Sequence, residues 1–205
     1  IYDDSVGVYI SGCVECGSDE LYSHDLGEQY CQVCDIGNYT SGGTVSSRIS
    51  CNTCDSGNIC NGSSVQVECL EGTYSGSGQS ECNPCPTGTY LENKGMSTID
   101  DCIDCPVGSY SNIIGNVSLQ TCILCDTGTY YLDGTGKVTK EQTCVECQSG
   151  SYNGTAHSHT NNQNNNSCIQ CLPGSYSENI KSTYCNLCEA GTYNVITGSN
   201  SHSDC

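Results

Sequence analysis

Residues 82–90 read Cys-Asn-Pro-Cys-Pro-Thr-Gly-Thr-Tyr, and residues 102–110 repeat this phrase as Cys-Ile-Asp-Cys-Pro-Val-Gly-Ser-Tyr. Repetition of a short phrase at a period of about twenty residues indicates a small unit stacked in tandem, with each unit contacting its neighbours. The repeat therefore predicts an architecture rather than one catalytic centre. The second cysteine of the phrase recurs at Cys16, Cys34, Cys54, Cys69, Cys85, Cys105, Cys125, Cys147, Cys171 and Cys188.

The composition leaves little material for an apolar core. The chain has 205 residues with 21 Cys and 14 Tyr, one Met, and neither Phe nor Trp. A chain of this kind needs covalent bridges in place of buried apolar area. We therefore predict a small disulfide-rich, mostly irregular β fold, arranged as an elongated tandem array of stapled hairpin units of about 20 residues.

Charge and cysteine content restrict the partners and the compartment. The net charge is −18 and the chain has only five Lys and Arg residues, which excludes a phosphate-binding surface of the kind that nucleic acids require. Disulfides form and persist in oxidising compartments, so we predict an extracellular or cell-surface location. The sequence shows no run long and apolar enough to span a membrane. The chain starts at Ile1, and we interpret it as a mature fragment.

Four segments follow from the repeat pattern. We predict an N-terminal extended segment at 1–12, cysteine-rich repeats at 13–53, an irregular joint at 54–69, and regular repeats at 70–205 that continue beyond the C-terminus. At the joint the phrase fails, because Cys54 is followed by Ile59 instead of Tyr and by the additional Cys60.

The Gly-x-Tyr part of the phrase predicts a sharp turn followed by a packed aromatic ring. We expect the glycine to take positive φ just after the bridge, and the tyrosine to lie over the neighbouring disulfide as the apolar face that the chain otherwise lacks. A ligand-stacking role for these rings is the alternative, but their regular spacing favours packing. The tyrosines are Tyr39, Tyr74, Tyr90, Tyr110, Tyr130, Tyr152, Tyr176 and Tyr193.

Three pairing schemes fit the cysteine spacing, and the sequence alone leaves them open. In the preferred scheme the second cysteine of each pair bonds to the first cysteine of the next, which leaves Cys13 for an inter-unit or upstream partner. In the second scheme neighbouring pairs interlock first to first and second to second, and in the third each Cys-x-x-Cys closes on itself. The preferred scheme gives Cys16–Cys31, Cys34–Cys51, Cys54–Cys60, Cys69–Cys82, Cys85–Cys102, Cys105–Cys122, Cys125–Cys144, Cys147–Cys168, Cys171–Cys185 and Cys188–Cys205.

The sequence gives weaker indications of a metal site or a catalytic site than of a disulfide array. The spacing of the pairs Cys82/Cys85 and Cys102/Cys105 also fits a zinc ribbon, although tandem repetition argues against that interpretation. The acidic pairs Asp3-Asp4 and Asp100-Asp101 lack the pattern of a calcium loop, so calcium is only a minor alternative. The histidines lie outside the repeat phrase, and no catalytic motif is present. We therefore predict neither a cofactor nor an enzyme.

Sugars are the expected modification. Given an extracellular location, we expect N-linked glycans on some of the sequons and O-linked sugars on the abundant Ser and Thr. Asn38 is the weakest of the candidates because it lies close to a bridge. The sequons are at Asn38, Asn61, Asn116, Asn153 and Asn165.

The phrase Cys-Pro-Thr-Gly-Thr-Tyr at 85–90, with Cys-Pro-Val-Gly-Ser-Tyr at 105–110 and Cys-Leu-Pro-Gly-Ser-Tyr at 171–176, resembles the ephrin-receptor-like cysteine-rich repeat. That repeat is similar to the disulfide ladders of growth-factor receptors and tumour-necrosis-factor receptors. Long tandem copies with Asn-rich insertions also resemble surface and extracellular proteins of ciliates and other protists. The resemblance implies an elongated, non-enzymatic extracellular module.

Three functions agree with these features. The first is a non-enzymatic extracellular structural glycoprotein that forms part of a surface coat or filament, with copies of itself or further repeats of the same chain as partners. The second is a ligand-binding or adhesion ectodomain of a surface receptor. The third is a metal-storing or redox protein, which would require free thiols. We favour the first, because the repetition is open-ended and no site stands apart from it.

Overall fold

The computed structural model describes residues 2–3, 8–9, 21–23, 31–44, 48–155 and 167–205. It consists of small two-stranded antiparallel hairpins with few helices, as predicted. The hairpins pair each odd-numbered strand with the even-numbered strand that follows it. The strands are β1 Tyr2–Asp3, β2 Val8–Tyr9, β3 Leu21–Tyr22, β4 Gln32–Val33, β5 Asn38–Ser41, β6 Ser50–Thr53, β7 Asn58–Cys60, β8 Gln66–Glu68, β9 Thr73–Tyr74, β10 Asn83–Pro84, β11 Thr89–Tyr90, β12 Ile103–Asp104, β13 Ser109–Tyr110, β14 Ile123–Leu124, β15 Thr129–Tyr131, β16 Cys144–Glu146, β17 Ser151–Tyr152, β18 Ile169–Gln170, β19 Ser175–Tyr176 and β20 Asn186–Leu187.

Helical segments are short in the described part of the chain. The one α-helix there, α1, is a single turn at Lys140–Thr143, and the 3-10 turns lie at Ile99–Asp101, Leu119–Thr121 and His202–Asp204. None of the described helices is long and apolar enough to cross a bilayer.

The chain forms two compact units. The first comprises residues 1–84 and 93–101, and the second comprises residues 85–92 and 102–205. Strands β1 to β10 belong to the first unit, and strands β11 to β20 belong to the second. Each unit has the same construction, because each contains several copies of one repeat.

Every hairpin from β5 onward joins two consecutive repeats. One strand carries the tyrosine of a repeat, or Ile59 in β7, and its partner carries the residues just before the second cysteine of the next repeat. In the hairpin of β11 and β12, Thr89 faces Asp104 and Tyr90 faces Ile103. The chain therefore folds back, so that the residues just before each second cysteine pair with the strand that follows the preceding turn.

The turn that precedes each Tyr explains the invariant form of the phrase. The glycine takes positive φ in each repeat, for example +83° at Gly88 and +82° at Gly108, as predicted. A φ near +80° at the third position of a four-residue turn defines a type II turn, where glycine is required. At the fourth position a Thr or Ser hydroxyl donates to the carbonyl oxygen at the first, as from Thr89 to Pro86 at 2.8 Å and from Ser109 to Pro106 at 2.7 Å. The phrase Gly-Thr/Ser-Tyr is therefore the sequence of a closed turn and the strand that follows it.

Nine disulfides staple the described repeats, and all nine follow the scheme in which the second cysteine bonds forward to the next pair. Their Cα–Cα distances lie between 5.5 and 5.8 Å, within the ordinary range for a disulfide. The remaining predicted bridge, Cys16–Cys31, involves Cys16, which lies outside the described residues, as does Cys13. The nine bridges are Cys34–Cys51, Cys54–Cys60, Cys69–Cys82, Cys85–Cys102, Cys105–Cys122, Cys125–Cys144, Cys147–Cys168, Cys171–Cys185 and Cys188–Cys205.

The segment 54–69 keeps the hairpin although its cysteine spacing is irregular. In the hairpin of β7 and β8, Cys60 faces Gln66, the position that holds a first cysteine in the other repeats. Cys60 on the opposite strand therefore takes the place of the cysteine expected at position 66, and Cys54 forms its disulfide with Cys60. Gln66 bonds to Asp55 instead, accepting from its backbone N–H and donating to its carboxylate, both at 3.0 Å.

Cysteines form most of the interior. Apart from Leu91 and Tyr131, every buried apolar residue in the described part of the chain is a cysteine. The clearest apolar cluster contains Tyr131 and the Cys125–Cys144 bridge, with Val107 and Tyr110 packed against it. Sulfur thus occupies the position that aliphatic side chains hold in larger domains, as the composition predicts.

The size of each covalent loop predicts how much its bridge stabilises the chain. Replacing both cysteines of Cys105–Cys122, 17 residues apart, by serine is expected to lower the free energy of unfolding by about 3 kcal/mol. The same change at Cys54–Cys60, 6 residues apart, is expected to cost about 2 kcal/mol because the loop is shorter. All four cysteines are buried, so the pair of variants differs mainly in loop length. Guanidinium unfolding without reductant measures both, and an equal or larger loss at the short loop would contradict the loop-closure explanation.

Candidate functional site

The surface that joins one repeat to the next is the recurring structural site of this chain. Three backbone hydrogen bonds form it. The backbone N–H of the turn glycine donates to the carbonyl oxygen of the residue after Tyr in the next repeat. The residue after Tyr in the first repeat donates its backbone N–H to a loop carbonyl of the next repeat. A loop residue of the next repeat donates back to the carbonyl oxygen of the second cysteine of the first repeat. For the repeats of Cys85 and Cys105 these bonds are Gly88 to Ser111 at 2.8 Å, Leu91 to Asn116 at 2.9 Å, and Gly115 to Cys85 at 2.8 Å.

The same three bonds recur within each unit. In the first unit they join the repeats of Cys54 and Cys69, and in the second unit they join the repeats of Cys147 and Cys171 as well as those of Cys171 and Cys188. Because all three use backbone groups, they place few demands on side-chain identity. The pairs are Gly57 to Ser75, Cys60 to Gln79 and Gly78 to Cys54; Gly150 to Ser177, Asn153 to Ser182 and Lys181 to Cys147; and Gly174 to Asn194, Ser177 to Ser199 and Gly198 to Cys171.

The residue after the Tyr position is buried in each repeat from the one of Cys34 to the one of Cys188. It lies where the backbone of one repeat meets the loop of the next, and at Ser75, Ser111 and Ser177 it supplies one backbone donor and one backbone acceptor to that surface. The sequence did not reveal this position, because its residue type changes from repeat to repeat and no chemical pattern marks it. The buried residues are Thr40, Cys60, Ser75, Leu91, Ser111, Tyr131, Asn153, Ser177 and Asn194.

The turn glycine also lies close to the backbone of the repeat two positions further along the chain. A Cβ atom at Gly88 would lie well inside 3.0 Å of the Gly136 carbonyl oxygen, which is closer than real Cβ contacts. The turn glycine therefore satisfies two constraints, the positive φ of its turn and the close approach of another backbone. The same contact occurs between Gly37 and Gly78, Gly57 and Gly95, Gly128 and Lys181, and Gly150 and Gly198.

The predicted tyrosine rings are only partly buried, and the extent of burial differs between repeats. Most of the eight predicted rings are half-buried; Tyr110 packs beside the Cys125–Cys144 bridge of the next repeat, and the Tyr176 ring meets the His202 ring edge-on at 5.4 Å. Tyr193 departs from the prediction, because its side chain is 77% exposed. In both packed examples the covering residues belong to the following repeat, and Tyr193 lies in the last repeat of this sequence.

One ion cluster links repeats in the second unit. The Asp126 carboxylate accepts from Lys140 at 2.9 Å and from Lys181 at 2.7 Å. The hydrogen bonds from Lys181 and Lys140 lower the pKa of Asp126 from 3.8 to about 2. Lys181 has φ +59° and is the non-glycine residue with positive φ in the described chain, at a loop position that is glycine in other repeats. The ion pair with Asp126 offsets part of the cost of that backbone conformation.

Three of the predicted glycan acceptors are not free on the surface. Asn116 is 5% exposed and its amide donates to the Ser111 hydroxyl, while Asn153 is 1% exposed and its amide donates to the Thr129 carbonyl at 3.0 Å. Asn38 is half-buried in β5. The amides of Asn116 and Asn153 therefore join elements of the repeat. Asn61 is exposed, and Asn165 lies outside the described residues.

Metal chemistry has no geometric support in the part of the chain that the structure describes. All four cysteines with zinc-ribbon spacing are disulfide-bonded, Cys85 to Cys102, Cys82 to Cys69 and Cys105 to Cys122, so they cannot serve together as thiolates. No group of three or more His, Cys, Asp or Glu side chains is placed to hold a metal ion there. Asp101 instead accepts backbone N–H groups from Thr98 and Ser97, which lowers the pKa of its carboxyl group.

The surface also carries an apolar groove near the last hairpin. Leu172, Tyr184 and Leu187 are exposed around a cavity of about 490 Å³, and Pro173 and Ile169 complete its apolar wall. No charged side chain lines the groove. An acid–base pair for catalysis is therefore absent from this cavity.

Residues 72–118 and 158–205 match the family described as tyrosine-protein kinase ephrin type A/B receptor-like. Over these residues the chain carries ephrin receptor-like cysteine-rich repeats. The matched family is a non-catalytic cysteine-rich repeat, and no catalytic domain is identified. No curated protein matches the chain. Together with the disulfides, the ephrin receptor-like repeats indicate an extracellular segment.

The contact between alternate ephrin receptor-like repeats can be tested at two glycines with the same backbone conformation. Gly88 and Gly174 both have φ +83°, but a Cβ at Gly174 meets no atom within 4 Å. Gly174→Ala is expected to cost only the strain of positive φ, about 1–2 kcal/mol. Gly88→Ala is expected to cost at least about 1 kcal/mol more because it also forces two backbones apart. Guanidinium unfolding of the two oxidised variants measures the difference, and equal losses would contradict the contact.

The Asp126 cluster predicts a small loss of stability in acid. The pKa of Asp126 is about 2 in the folded chain and near 3.9 in an unfolded one, so its contribution is complete above about pH 4 and disappears as the pH falls toward 2. The Asp126 side chain is 54% exposed, so we expect less than about 1 kcal/mol. Thermal unfolding from pH 5 to pH 2 should show a shallower decline for Asp126→Asn than for the wild type. Asp133→Asn, at an exposed position, is the control and should follow the wild-type profile.

Proposed function

We propose that this chain is a non-enzymatic extracellular structural glycoprotein, whose ephrin receptor-like repeats form part of a surface coat or filament. Its partners are copies of itself or further repeats of the same type. The role of each repeat is to continue the array, and the disulfides keep the array folded outside the cell.

One observation carries the proposal. The features that recur from repeat to repeat are the bridge, the turn glycine and the turn hydroxyl, and in the structure each of them closes a repeat or joins two repeats. These shared features serve the contact of each repeat with its neighbours. At the strand position that pairs with the residue before Tyr, the exposed side chains differ between repeats, as at Asp104, Gln170 and Leu187.

Composition supports an external, non-catalytic role. A net charge of −18 keeps a repeat surface soluble and discourages unspecific association. Disulfides form and persist under the oxidising conditions outside a cell, whereas the thiols of a cytosolic chain with this many cysteines would remain reduced. The ephrin receptor-like match adds no catalytic group to these features.

Immunogold microscopy of the source cells tests the proposal, with antibodies against the purified chain. Label on intact, unpermeabilised cells is expected to lie at the outer face. Negative-stain microscopy of the released native material is expected to show ordered sheets or filaments. Label only after permeabilisation would overturn the extracellular location. Surface label combined with dispersed single molecules would overturn the coat or filament role and leave an adhesion or receptor role in its place.

A further inference from the structure

The sequon Asn61-Gly62-Ser63 is presented differently from the other described sequons. Asn61 is exposed, and its side-chain oxygen accepts from the Ser63 backbone N–H at 3.2 Å and from the Ser63 hydroxyl at 2.7 Å. These two bonds fix the side chain through its oxygen. The amide nitrogen of Asn61 takes part in no hydrogen bond within the described residues, so it is available at the surface.

Asn116 and Asn153 show the opposite arrangement. Each is almost fully buried, and each uses its amide nitrogen to hold the repeat together, Asn116 toward Ser111 and Asn153 toward Thr129. A sugar on either nitrogen would need space that neighbouring atoms occupy. A chain that folds as described therefore carries no glycan at these two positions.

The surroundings of Asn61 also suit a bulky polar substituent. A groove of about 340 Å³ beside it is lined by Ile59, Val65 and Val67, and the side chains of Val65 and Val67 are each 54% exposed. Adjacent exposed apolar side chains of this kind favour association unless they are covered. A glycan attached at Asn61 would begin at the edge of this groove and cover it.

We propose that Asn61 is an N-glycan acceptor and that Asn116 and Asn153 are not. The sugar donor is an oligosaccharide linked to a lipid pyrophosphate. The Asn61 amide nitrogen attacks the anomeric carbon, a C–N bond forms, and the C–O bond to the pyrophosphate breaks. The nitrogen loses one proton to a base of the transferase, and the lipid pyrophosphate leaves with the electron pair, so no group is oxidised or reduced. The assignment uses the extracellular location of the proposed function.

The test expresses the full chain behind a secretory leader in a eukaryotic host. Glycopeptides are mapped by mass spectrometry after enzymatic release of N-glycans in heavy-oxygen water, which marks each occupied asparagine. We expect the Asn61 peptide to be marked and the Asn116 and Asn153 peptides to be unmarked in secreted, fully oxidised protein. Asn61→Gln and Ser63→Ala should each abolish the mark at position 61, whereas Ser64→Ala, a matched change outside the sequon, should retain it.

The outcomes separate this assignment from the proposed function. An unmarked Asn61 in secreted, folded protein, or a mark on Asn116 or Asn153, would overturn the glycan assignment whatever the chain's natural role. Because the leader imposes secretion, a coat role that fails in the source cells would leave the result at Asn61 unchanged. Asn165 is read on its own peptide and does not affect either conclusion.

Discussion

The forward disulfide, from the second cysteine of one pair to the first cysteine of the next, is the constraint on which the rest of this structure depends. It closes a loop of 13 to 21 residues in the repeats that keep the full phrase, and it brings the strand after the turn back against the residues between the cysteines. With that return fixed, a two-residue strand pair is sufficient, although an isolated pair of this length is not stable in water. The bridge therefore stabilises the hairpin as well as the interior.

The short strands also explain how neighbouring repeats are joined. Because the strands are short, each repeat leaves backbone groups unpaired after its hairpin has formed, and these groups are satisfied by the next repeat. Unpaired buried backbone groups are costly, so a repeat is complete only when its neighbour is present. The array is held together by the same hydrogen bonds that satisfy each repeat, and the side chains that face solvent are left free to vary.

The sequence was sufficient for the features that depend on spacing and on one residue type. The hairpins and the positive φ of the turn glycines follow from the phrase, and the forward pairing of the nine described bridges is the preferred one of the three schemes that the spacing left open. It was insufficient where the physical requirement falls on backbone atoms. The position after the tyrosine is buried whether it holds Leu91 or Ser111, and no pattern of residue types could mark it. Sequons illustrate the same limit, since Asn61 and Asn153 share a motif but differ in burial.

The segment at 54–69 shows that the disulfide can form even where the Cys-x-x-Cys phrase is broken. The pattern places a cysteine at position 66, and the chain has Gln66 there, with Cys60 directly opposite on the paired strand. Cys54 still forms a bridge of ordinary Cα–Cα separation, 5.8 Å, with Cys60, and facing positions of an antiparallel strand pair lie only about 4.5–5.5 Å apart. Gln66 then replaces the lost cross-link with two hydrogen bonds to Asp55. The repeat thus tolerates an exchange of the cysteine between strands, provided that one sulfur remains within reach of the turn.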